Sequence, residues 1–162
     1  MKSTDRSTQV WLSILLLTAF SAGAWAQTGP DFSGIWKQDN DRSQAKRGGD
    51  TTLRIVHRDP DLTVETSISR DSVLVRHAVQ KYTTDGKASV TTGADGDEFH
   101  TSVAWKDSSL VFSIEEHEDG RILLSKETWS LMEDGATLQR ARERPNGEKQ
   151  ILFFHRQPAA SR

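Results

Sequence analysis

Past residue 50, apolar residues recur at every second position in short runs, and each run stops at a turn-forming pair. Leu53, Ile55 and His57 share one face of the first run, and Leu62, Val64, Thr66 and Ile68 share one face of the second. Val73, Val75, His77 and Val79 alternate in the third, Phe99, Thr101, Val103 and Trp105 in a later one, then Leu110, Phe112 and Ile114. Leu123, Trp129 and Leu131 share a parity, as do Leu152 and Phe154. A period of two is that of a β-strand, whose successive side chains point to opposite faces. The runs are separated by Asp85-Gly86, Asp95-Gly96, Asp119-Gly120, Asp134-Gly135 and Asn146-Gly147, pairs that tolerate the positive φ of tight hairpins. Asp59-Pro60-Asp61 and Lys106-Asp107-Ser108 supply two more turns. The polar stretch from Asp39 to Asp50 reads as a loop, with one helical turn near Ser43. With the pieces at 32–38 and 87–92, the pattern predicts about ten strands and no long helix. Evenly punctuated short strands suit a sandwich or an up-and-down barrel. Hairpin-only connections favour an all-β antiparallel meander barrel, whose closure removes exposed sheet edges.

The amino-terminal segment breaks this pattern. Lys2 and Arg6 precede an apolar run from Val10 to Phe20, and small residues follow, ending in Ala24-Trp25-Ala26. A charged start, a short apolar core and an A-x-A site are the marks of a signal peptide. The run is shorter than the roughly 20 residues that span a bilayer. The expected organisation is a signal peptide over 1–26 and one barrel domain over 27–162, exported to a periplasm or the extracellular space, with no stable membrane insertion after cleavage.

Composition narrows the chemistry. The chain has 162 residues, 21 Lys and Arg against 23 Asp and Glu, and no cysteine. Mild acidity without a basic face argues against a nucleic-acid partner. The absence of thiols removes disulfides, thiolate nucleophiles and Cys-ligated metals. The five histidines, His57, His77, His100, His117 and His155, lack ligand spacing, so a metal would need them to converge from different strands. No metal site is expected. Glu115-Glu116-His117-Glu118 runs into Asp119-Gly120 and reads as a solvated hairpin tip. Arg140, Arg142 and Arg144 alternate along one strand face, with Glu143 pointing the other way. They form either an anion-binding ladder inside a barrel or, the favoured reading, a surface ladder paired with glutamates such as Glu127. No nucleophile elbow, phosphate loop or dinucleotide fingerprint occurs, so no catalytic set and no cofactor is assigned.

Two places carry a family resemblance. Gly34-Ile35-Trp36 resembles the G-x-W signature of lipocalins and the wider calycin group. The resemblance implies that Trp36 packs across the closed end of the barrel under a basic residue from the last strand. Arg156 is the candidate, making Gly34, Trp36 and Arg156 the barrel-closing set. A guanidinium on a partly buried indole face gains about 1–2 kcal/mol. The segments Phe32-Ser-Gly-Ile-Trp36, His57-Arg-Asp-Pro60, Tyr82-Thr-Thr-Asp-Gly-Lys87 and Thr128-Trp-Ser-Leu-Met-Glu-Asp-Gly135 are similar to small secreted bacterial proteins described as lipocalin-like, whose function is unsettled. That likeness implies an open end that holds a small, partly apolar molecule.

The expected ligand face is Val75, His77 and Val79 together with Phe99, Val103 and Trp105. The face opposite the valines carries Arg76 and Gln80, which prefer water. His77 would be the polar anchor, or else Tyr82, which strict alternation places outside. The alternative is a barrel filled by its own side chains, serving as a protein-interaction module such as an inhibitor or an envelope accessory factor. Mature protein is expected to begin at Gln27. Amino-terminal sequencing of the exported protein checks this, and recovery of Met1 would contradict it.

Overall fold

A computed structural model describes residues 29–44, 49–93, 95–132 and 135–158. The expected signal segment, 1–26, lies outside them. The described residues form ten strands and no helix: β1 (Gly34–Gln38), β2 (Asp50–Arg58), β3 (Asp61–Arg70), β4 (Val73–Thr83), β5 (Asp85–Thr92), β6 (Glu98–Lys106), β7 (Ser109–Glu118), β8 (Arg121–Leu131), β9 (Thr137–Glu143) and β10 (Lys149–Arg156). The sheet runs β4-β3-β2-β1-β10-β9-β8-β7-β6-β5, antiparallel throughout. This is the up-and-down meander, with the first strand joined to the last, rolled into a nearly closed barrel.

The barrel fails to close at one seam. Asp85-Gly86 makes no hairpin, because only Thr84 separates β4 from β5 and the two strands share no ladder. Thr84 is anchored instead to the β2–β3 turn, its N–H donating to Pro60 O at 2.8 Å and its hydroxyl to Asp59 Oδ1 at 2.5 Å. The β3–β4 hairpin turns on Asp71 and Ser72, with φ of 48° and 64°, so a tight turn forms there without glycine.

One half of the barrel is packed solid. Phe32, Trp36, Leu53, Leu62, Val103, Leu110, Leu138 and Phe154 are completely buried. The segment before β1 plugs this end. Trp36 Nε1 donates to Phe32 O at 2.9 Å, and the Arg156 guanidinium lies 4.3 Å over the Trp36 ring. Arg156 also donates to the carbonyls of Ser33, Asp31 and Gly135, which ties the plug to the barrel wall. Gly34 has φ of 143°, and a Cβ there would stand 3.2 Å from Arg156 Nη1. Both facts keep larger residues out.

Trp36→Ala should lower the free energy of unfolding by about 3–5 kcal/mol, as large aromatic truncations in cores do. Urea denaturation followed by circular dichroism measures it.

Candidate functional site: the barrel lumen

The pleat of β3 decides what faces the lumen. Leu62 and Val64 are buried, and their register partners on β4 are Tyr82 and Gln80. Directly paired residues share a face, so Arg76, Ala78, Gln80 and Tyr82 point inward and Val75, His77 and Val79 point out; the register shifts at Ile68/Ser69, before the pairs of Val73 and Leu74. The expected ligand face is therefore corrected. Val75 and Val79 are each 52% exposed on the outer surface, and His77 Nε2 lies 3.0 Å from Glu65 Oε1 there. The cause is register: a one-residue difference in parity moves every side chain of a strand to the other face. Tyr82, expected outside, packs edge-on against Phe112 with ring centroids 5.5 Å apart. Burial pushes its phenol pKa up to about 12.

The other expected ligand residues point inward but do not gather. Val103 is part of the packed core. Trp105 belongs to the plugged end, where its Nε1 donates to both Asp59 oxygens at 3.1 and 3.0 Å and its ring packs against Phe32 and His57. Phe99 lies farther along β6, half-buried.

Farther from the plug, inward positions change character. Thr66, Ala78, Ser89 and Ser125 are small, and Ile114, Leu123 and Leu152 are apolar. All stay only partly buried although they face inward. Side chains that point into a barrel and still meet solvent line an open lumen.

At the floor of this lumen sits a charged cluster. Glu127 on β8 is buried, and its Oε1 accepts from Trp129 Nε1 and Arg140 Nε at 2.5 Å each. The Arg140 guanidinium lies 4.7 Å over the Trp129 ring and 5.6 Å over Phe154. Arg142, two residues along the same face of β9, is the register partner of Glu127. The arginine alternation thus faces the lumen, and Glu127 pairs with it there, whereas Arg144 lies exposed in the β9–β10 turn. Burial works to raise the Glu127 pKa, but the Arg140 charge and the hydrogen bonds from Arg140 and Trp129 outweigh it, so the carboxylate is held below its ordinary value. Two guanidiniums then face one carboxylate, leaving an excess positive charge. Arg142 Nε is buried and has no hydrogen-bond partner, as is the case for His100 and His117 Nε2 on the outer wall. Buried donors left unpaired are uncommon.

Two further groupings escaped sequence reasoning. His100 and His117, on neighbouring strands, stack on the outer wall with centroids 4.4 Å apart, each turned toward the glutamate two residues before it. Their cross-strand register was the missing signal, since Glu115 and His117 lie within β7 and not at a loose tip. Asp59 joins Thr84, His57 and Trp105 at the plugged end. Burial works to raise its pKa, and those three hydrogen bonds bring it below the ordinary value.

No family model and no curated protein sequence matches the chain. Solved structures do. Secretory abundant heat soluble protein 4 from Ramazzottius varieornatus superposes with a TM-score of 0.65 at 12% identity, covering 81% of this chain and 98% of that one. Lipid binding protein 8 of Caenorhabditis elegans gives 0.61 at 12% identity, covering 78% and 95%. A protein described as the REP1-NXSQ fatty acid transporter gives 0.59 at 12% identity, covering 78% and 96%. The chain has the fold of an up-and-down, lipocalin-like β-barrel. At such identities the likeness is one of fold, and the charged floor of this lipocalin-like barrel rests on its own residues.

The depressed carboxylates set a pH dependence. A carboxylate whose folded pKa lies below its unfolded value stabilises the fold fully above the unfolded pKa and stops doing so as pH falls through the folded one. The free energy of unfolding should therefore be flat above about pH 5 and drop below about pH 4. Glu127→Gln should start lower at neutral pH, by about 3 kcal/mol or somewhat less, because it leaves Arg140, whose side chain is only 20% exposed, without its counter-charge. It should also show a shallower acid slope. Urea titrations across pH measure both.

Proposed function

We propose that this protein is exported and holds a small, partly apolar molecule in the barrel lumen, with an anionic head group seated on Arg142. The carrying observation is the buried, unpartnered Nε of Arg142 beside a carboxylate already committed to Arg140. A carboxylate or similar anion there satisfies the free donor and balances the excess charge, and hydrogen bonds to charged groups are the stronger kind. Ile114, Leu123 and Leu152 offer the apolar body a surface on the inward face, and small Ser125 and Ala78 leave it room. The names of two structural neighbours, a lipid binding protein and a fatty acid transporter, accord with an amphiphile of this kind. Export rests on the charged start, the apolar run and Ala24-Trp25-Ala26.

A fluorescent fatty-acid analogue should bind and alter tryptophan emission, more tightly than the same chain ending in an alcohol. Arg142→Gln should weaken the acid by about 10–100-fold, the range of a hydrogen bond to a charged group. It should leave the alcohol nearly unchanged. Failure of every such probe to bind the wild-type protein would overturn the reading.

A further inference from the structure

Besides the β4–β5 seam, the barrel wall has a second breach. The β8–β9 ladder ends at the pair Lys126–Glu143, while β8 continues to Arg121 with β7 as its partner. Beyond Glu143 the chain folds away through the β9–β10 turn, where Arg144 N–H donates to Glu148 O and Gly147 N–H to Arg144 O, both at 2.9 Å. The edge of β8 over residues 121–125 is thus unpaired on its β9 side. A groove of about 520 Å³ lies there.

The lining of this groove sets it apart from a surface dent. It includes Ile114 and Ser125, which face the lumen, as well as Glu115, Leu124 and Lys126, which face outward. A cleft lined from both faces of a sheet passes between its strands. A second groove, of about 230 Å³, shares Lys126 and Glu143 with the first, and its Thr128, Ala141 and Ile151 share the outward face, so it runs along the outer wall. Arg142 stands next to Glu143, at the last pair of the β8–β9 ladder, and so borders the breach from the inward face. Its lip is apolar at Leu124, which is 63% exposed. The charges around it, Lys126 and Arg144 against Glu115 and Glu143, balance, so the lip neither repels nor captures an anion. The β4–β5 seam leads elsewhere: it is tied down at Thr84 and backed by Tyr82 against Phe112.

We propose that the ligand, an amphiphile with one anionic head and a slim apolar chain, enters sideways through the β8–β9 breach and seats its head on Arg142 just inside. This rests on the lumen being the binding site. It implies that passage requires the β9–β10 hairpin to stand clear of the free β8 edge. Pairing that edge would close the door without touching the site.

The chain has no cysteine, so a single engineered pair makes one defined crosslink. Leu124 and Arg144 both line the groove, on the β8 and β9 sides of the breach, and neither belongs to the lumen site. In Leu124→Cys/Arg144→Cys, oxidation should slow association of a fluorescent fatty acid in stopped flow by about tenfold or more, a change in on-rate that steric gating produces. Dithiothreitol should restore the rate, and the equilibrium Kd should stay within about threefold, since entrance and exit slow together. Leu124→Trp, which plugs the lip without a crosslink, should slow association in the same sense. An unchanged rate in the oxidised protein, with the crosslink verified by mass, overturns the route, as does a wild-type rate in the plugged variant. If the wild-type protein binds no probe, the lumen reading itself falls and takes the route with it. Normal wild-type binding with an unaffected stapled rate removes only the route.

Discussion

Arg156 is both the register partner of Trp36 in the ladder that joins the last strand to the first and the cation lying over its ring. The closing ladder is short, three pairs long, so the meander depends on what reinforces it. The guanidinium does so by reaching the carbonyls of Asp31, Ser33 and Gly135. Those contacts fold the segment before β1 under the barrel and bring Phe32 into the core. One end of the barrel becomes a plug of aromatic rings, and the polarity of the molecule follows. Side chains near the plug are packed, and those farther away line a space.

Within that space, charge is distributed unevenly. A buried ion pair contributes little net stability once both partners have been desolvated, but an unmatched buried charge is costly. Glu127 Oε1 accepts from both Arg140 and Trp129, and the Arg142 charge also helps hold the carboxyl below its ordinary pKa. A protein selected for stability alone would fill this floor with apolar residues. One barrel fold serves many purposes, and the chemistry particular to this one lies in the residues of its floor.

The ten strands were legible from the sequence because period-two alternation and Asp-Gly or Asn-Gly turns are local properties, carried by each segment without reference to the rest. The lumen was less legible. The Arg140–Arg142 alternation was visible, but whether it faced water or the interior depends on the register of β9 against β8. Asp85-Gly86 looked like one more hairpin, yet Thr84 is claimed by the β2–β3 turn and the strands part there. The convergence of His100 with His117 required the β6–β7 pairing to be known.

By itself, then, the sequence determined that this chain is an antiparallel meander, where most of its turns fall, and which residues are candidates for its closed end. Tertiary structure decided which face of β4 looks inward, and it did so against the apolar pattern. Val75 and Val79 lie on the more apolar face, but Leu62 and Val64 on β3 hold the pleat, and Tyr82 rather than a valine meets Phe112. The physical reason is that an edge strand inherits its orientation from the neighbour that pairs with it. The usual rule of apolar inside also fails where the interior is a lumen, because water or a ligand, and not the core, is what those side chains meet.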